Sequence, residues 1–312
     1  MNPAGLVGWL AAGGPTEVPP PLTVGRLLTA WSPEPAPLLL LLALAGLYLA
    51  GVRRLRRRGA AWSWWRVVSF VGLGLGSAAV ATLSALDTYA LALFSVHMVQ
   101  HVVLSMLTPV FLALGAPITL ALRTLSGRPR RLLLAAVHSP VARVLTFPVV
   151  AGALFVATPF ALYLTSWYEA TLRNPWLHDL SHLHVVLVGA LWFWPMLGLD
   201  PLPARPPYPL RLLAVLVTLP LHAWLGIAIM SGTTVLAADW YAELGRTWGA
   251  SPLADQRTAG GIMWASGDLV ALLLLAVLFA QWSRAAQREA EREDRRLDRL
   301  EAEALRRAGP AG

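Results

Sequence analysis

Seven apolar runs, at residues 37–52, 65–86, 89–114, 141–164, 178–199, 210–230 and 261–282, decide what this chain can fold into. Six have the length of the roughly 20 residues an α-helix needs to cross a bilayer, and the first is slightly short. Backbone N–H and C=O groups in hydrocarbon must be satisfied within their own segment, so each run is expected to be a helix. With 56% hydrophobic and 13% charged residues and a mean hydropathy of +0.58, a soluble domain is excluded. The expected fold class is an all-α polytopic membrane protein, a seven-transmembrane-helix bundle over 37–282. A Pro/Gly-rich tail, 1–36, precedes it and a charged tail, 283–312, follows.

The basic residues orient the bundle. All 25 are Arg; 21 fall at 53–66, 123–143, 205–211 and the C-terminal tail, while only Arg26, Arg173, Arg246 and Arg257 occupy the alternate segments. The positive-inside rule then places the N-terminus outside and the C-terminus in the cytoplasm. The net charge of +8 is thus topological, and no nucleic-acid partner is expected. The first 25 residues have no basic n-region, so no cleavable signal is expected; residues 6–12 are a short apolar patch. Asp87-Thr88 is expected to be a tight turn, Gly72, Gly74 and Gly76 a close-packing surface, and Trp192-Phe-Trp194 an interfacial end. The stretch 231–260, with Asp239-Trp-Tyr241 and Trp248, is expected to form an interfacial lid. The tail from Ser283 to Ala308 has neither Gly nor Pro and is expected to be a juxtamembrane helix, with Glu291 facing Arg295 one turn on.

Within this frame the histidines stand out. His97 and His101 lie one helical turn apart inside the third run, so both imidazoles project from one face. Ionisable side chains at membrane depth are costly and by default suggest function. Imidazole pairs at this spacing suit copper, zinc or iron, while the ordinary alternative is a pair of interhelical hydrogen bonds. Counted from the expected ends of the runs, His97 and His101 lie about 12–18 Å deep. His178, His182 and His184 open the fifth run, His222 lies in the outer half of the sixth, and Asp268 in that of the seventh. On the fifth helix His178 and His182 share a face that His184 does not. Met98 and Met230, with Met106 and Met263, lie in the same half and could serve Cu(I), though methionine is more often plain packing. Asp268 could pair with a protonated His, orient a metal ligand or move protons, and a hydrogen bond to a neighbouring helix is an equal alternative. Thr108-Pro109 and Leu219-Pro220 are expected kinks that free carbonyls beside a cavity. Cysteine is absent, which excludes disulfides and thiolate metal sites. No phosphate-binding glycine loop, nucleophile–base motif or transporter-like repeat is present, so no enzymatic activity is expected.

Several linked motifs resemble one family. They are His97-Met-Val-Gln-His101 with Leu114-Gly-Ala-Pro-Ile-Thr119; Leu183-His184 with Gly189-Ala-Leu-Trp-Phe-Trp-Pro195, Gly198 and Asp200-Pro201; His222-Ala-Trp-Leu-Gly226 with Met230-Ser231 and Ala238-Asp-Trp-Tyr241; and Gly260-Gly261 with Trp264 and an acid at 268. Over roughly residues 90–288 this resembles the CtaG-type (caa3-type) cytochrome c oxidase assembly factors of bacteria. Asp268 stands where that family is expected to carry Glu, and His182 is additional to the pattern. The resemblance implies a bacterial plasma-membrane protein that helps place copper in a haem–copper oxidase. The implied metal contacts are His97, His101, His184 and His222, with Met98, His178, His182, Met230 and Asp268 as further candidates. The implied partners are an oxidase subunit in the membrane and an extracytoplasmic copper donor. The residues alone say only an imidazole-rich site without thiolate. They leave open a haem-binding cytochrome with two axial histidines, or a metal-ion permease, which the nearly uncharged inner halves of the runs disfavour.

Overall fold

In the computed structural model, which describes residues 18–202 and 206–308, every regular element is helical. In chain order these are α1 (Val24–Thr29), α2 (Pro35–Arg57), α3 (Trp64–Leu83), α4 (Ala85–Ala90), α5 (Phe94–Thr124), α6 (Gly127–Val137), α7 (Pro140–Leu145), α8 (Pro148–Leu164), α9 (Trp167–Arg173), α10 (Pro175–Leu197), α11 (Tyr208–Ser231), α12 (Ala238–Leu244) and α13 (Pro252–Ala308). Among them α2, α3, α5, α10, α11 and α13 are long and apolar enough to cross a membrane, and α8 joins this set when taken with α9, into which it turns by 71°. The chain is therefore a multi-pass membrane protein with six or seven spans. The apolar patch at 6–12 lies outside the described residues.

The boundaries differ from expectation where a local signal overrides hydropathy. Residues 85–90 belong to α4, so Asp87 and Thr88 are helical rather than a tight turn. Ser84 adopts an extended backbone and its hydroxyl accepts from Leu86 N–H at 3.2 Å, which starts that separate helix. The third span consequently begins at Phe94, which puts His97 and His101 only about 5–10 Å into it. The fourth begins at Pro148, a favoured first helical residue, after extended Phe147. The seventh begins at Pro252 and runs without a break through the charged tail, about 85 Å in all; Glu291 and Arg295 are 3.9 Å apart on it.

Tight crossings hold the bundle, as small residues must where lipid supplies no hydrophobic drive between helices. At the α11–α13 crossing Gly226 faces the backbone of Gly260 and Trp264, and Gly260 faces that of Met230, leaving no room for a Cβ on either glycine. Gly189 of α10 sits on the carbonyl of Ser105 and on Pro109. Pro109 has no N–H to offer that carbonyl, and the turn before it, Val103–Leu107, is π-helical. Of the three glycines in α3 only Gly74 makes a close approach, to Leu112. Trp192 and Phe193 lie in the core beside Phe155, so the expected interfacial end reduces to Trp194. The chain breaks at Gly115-Ala116, where Ala116 takes a left-handed φ of 47°. Tyr48 of α2 stacks on Phe70 and donates its hydroxyl to the Gly115 carbonyl at 2.8 Å, pinning that break.

Candidate functional site

The site begins at the first turn of α5. The Asp255 carboxylate, from the start of α13, accepts from the backbone N–H and the hydroxyl of Ser95, at 3.2 and 2.5 Å. A carboxylate on unsatisfied amides of a helix N-terminus is favourable, and this one fixes the rotation of α5 and hence where its histidines point.

His97 and His101 are both buried. The His97 Nε2 lies 3.2 Å from the Tyr163 hydroxyl, and its ring packs against Phe94 and Tyr168. Its Nδ1 is buried with no hydrogen-bond partner among the described residues. Met98 is fully buried with its sulfur 3.9 Å from the same Tyr163 hydroxyl. His101 and His222 line one small cavity together with Ser105, Thr158 and Phe155. Neither nitrogen of His222 has a hydrogen-bond partner among the described residues, and its ring rests on Gly267, where a Cβ would collide with it. Asp268, next in sequence, has one buried carboxylate oxygen without a hydrogen-bond partner among the described residues. A buried polar atom left unpaired costs about 1–3 kcal/mol, so several at one level need a reason.

The other histidines of α10 divide as their spacing requires. His178 and His182 face each other, ring centroids 4.3 Å apart. The His178 Nε2 stands 3.6 Å from Asp87 Oδ1 of α4, and one ligand atom each from Asp87, His178 and His182 lie within 4.8 Å of one another. His182 is within electrostatic reach of His178, His97 and His101, and His101 of His222. Five imidazoles thus form a row from the end of α10 into the bundle. His184 stands aside: it is half-buried, 3.2 Å from the Thr158 hydroxyl through Nε2, with its ring against Trp167. Thr158 also borders the cavity, which puts His184 behind its wall. Met230 packs on Gly260 and Gly261.

Sequence reasoning missed three groups. Asp87 was assigned to a turn; Gln100, inside the His97–His101 motif, donates its amide to Asp87 Oδ1 at 2.8 Å and to the Ala81 carbonyl at 2.9 Å; and Tyr163 bonds His97. A carboxylate two residues before the third apolar run of the sequence and an amide between two histidines are the available signals. Glu34, at the start of α2, lies close by, and burial, with Asp87 and then Asp179 nearby, pushes its carboxyl above the usual range. The expected lid is a fixed cap instead: Trp240 is buried and donates to the Leu91 carbonyl, Tyr241 and Tyr168 share a 2.7 Å hydroxyl contact, and Trp248 donates to the Pro19 carbonyl.

This helical bundle with a buried histidine row at one end can be compared with known proteins. A model of the cytochrome c oxidase caa3 assembly factors (Caa3_CtaG) matches residues 46–285. The chain belongs to that family. Within this CtaG-type bundle, the matched region holds every histidine of the row. Uncharacterized proteins of Mycobacterium bovis and Mycobacterium tuberculosis are each 38% identical over 294 residues, and one of Mycobacterium leprae 37% over 289; each match covers 90% of this chain. The chain spans less than half the length of these relatives, 44% of each. No solved structure matches.

Proposed function

We propose that this member of the oxidase assembly family binds copper in its buried imidazole row and delivers it to a haem–copper cytochrome c oxidase subunit within the plasma membrane. The assembly role follows from family membership; the copper step is our reading. One observation carries it: His97 Nδ1 and both nitrogens of His222 are buried without hydrogen-bond partners among the described residues, in a chain whose sequence has no cysteine. Neutral imidazole nitrogens bind copper well. His97, His101 and His222 hold the ion; His184, hydrogen-bonded to Thr158 at the cavity's edge, stays a further candidate; Met98 offers a sulfur near the same Tyr163 hydroxyl that His97 meets.

In this reading the histidine end faces outside and the charged end of α13 the cytoplasm, which the Arg distribution supports by the positive-inside rule. Copper therefore arrives from an extracytoplasmic donor and leaves sideways to the oxidase. The protein acts without catalysing a reaction of its own. The test is copper content of the purified protein and of the oxidase made beside it, for wild type and for His97→Ala/His101→Ala. Copper-free oxidase alongside a normally inserted double variant is expected; normal oxidase loading overturns the reading.

A further inference from the structure

We propose that Asp87, His178 and His182 form a second metal site, for a divalent copper ion, at the mouth of the imidazole row; the choice of copper rests on the function proposed above, the site itself on geometry.

Three independent observations meet there. The ligand atoms come from two separate elements, α4 and α10, yet already lie within 4.8 Å of one another. Bond lengths near 2.0 Å put cis ligands of a tetragonal ion roughly 2.8 Å apart and trans ligands about 4 Å apart, so side-chain rotations complete the set. Next, the imidazoles lack hydrogen bonds: both His178 nitrogens and His182 Nε2 are buried with no hydrogen-bond partner among the described residues, and His178 has only an ion-pair contact with Asp87. At 3.6 Å the His178–Asp87 contact is too long for a hydrogen bond. Finally, the carboxylate is held from behind. Gln100 donates to Asp87 Oδ1 while anchored on Ala81, the arrangement by which outer partners orient a metal-binding carboxylate.

The donor set narrows the ion to a divalent one, and the function proposed above selects copper among these. Two imidazoles and a carboxylate, with no sulfur, suit a divalent ion rather than soft Cu(I), and Cu(II) heads the affinity order of the first-row divalent metals. Three protein ligands leave further positions open for water or for a donor's ligand. Asp87 keeps 17% of its side chain accessible, whereas the deeper histidines are closed off. His182, whose ring faces that of His178 at 4.3 Å, is the inner member of this site.

The test is Cu(II) binding to full-length protein in detergent, by equilibrium dialysis and electron paramagnetic resonance, for wild type, Asp87→Asn, His178→Ala/His182→Ala and His97→Ala/His101→Ala. Wild type is expected to bind about two equivalents, with one Cu(II) signal showing coupling to two imidazole nitrogens. Asp87→Asn is expected to weaken that equivalent at least tenfold, and the His178/His182 variant to abolish it. Loss of copper only on replacing His97 and His101 overturns this inference and leaves the proposed function standing. Loss only on replacing Asp87 or His178/His182 does the reverse. A wild-type Cu(II) signal without two-nitrogen coupling also overturns it, with no dependence on how any variant folds.

Discussion

Asp255 and Ser95, 160 positions apart, form the joint that sets the histidine helix: both oxygens of the Asp255 carboxylate engage Ser95, one its N–H and the other its hydroxyl. The carboxylate is buried, so its loss leaves an amide at a helix N-terminus unpaired. Asp255→Ala is expected to destabilise the protein by about 2–3 kcal/mol and to weaken copper binding by rotating α5. Thermal unfolding in detergent, read beside dialysis, checks both; an unchanged midpoint refutes the joint.

At the opposite end Asp200 does similar work. Its carboxylate accepts from Thr119 N–H and hydroxyl at 2.7 and 2.5 Å, from Ile118 N–H at 3.3 Å and from Trp194 Nε1 at 2.9 Å. It ties the second half of α5, restarted at Pro117, to the end of α10. Asp200→Ala is expected to cost about 3 kcal/mol or more, and Asp200→Asn clearly less because one acceptor oxygen survives. Equal losses for the two variants count against this account.

Gly267 and His222 give a coupled pair. A methyl at 267 meets the imidazole ring, so Gly267→Ala is expected to destabilise by about 1–3 kcal/mol and to push His222 off the cavity. In a His222→Ala background the same change is expected to be nearly neutral, since the clash has gone. A double-mutant cycle measures the difference, and strict additivity rejects the contact.

The third tie is electrostatic. Arg173 forks onto Glu243, at 2.8 and 2.9 Å, and also reaches Glu169. The hydrogen bonds from Arg173 hold the exposed Glu243 carboxyl below its ordinary value of 4.5. A carboxylate depressed in the folded state stabilises above its unfolded value, and that contribution is lost as pH falls through the folded one. Wild type is therefore expected to melt slightly above Glu243→Gln at neutral pH, the gap closing below about pH 4.5. A gap that does not respond to pH dissociates Arg173 from the effect.

The sequence by itself determined the solvent the protein folds in, the number of apolar runs, and the crowding of histidines toward one end. Hydropathy and side-chain periodicity are local properties, and they suffice for that. It also separated His184 from the face of His178 and His182, because helical geometry alone rotates them apart. Helix starts escaped it wherever a cap or a proline outweighed hydropathy, as at Ser84 before α4, Pro148 and Pro252. What only the tertiary structure decided is which polar groups meet. Asp87 reads as a turn residue until α4 brings it to His178, and Gln100 reads as filler between two histidines until its amide reaches Asp87. Those contacts join residues 13 and 91 positions apart (100 − 87 and 178 − 87). They exist because glycine crossings such as Gly189 on Ser105 let the helices approach closely enough, and no run of neighbouring residues records such an approach.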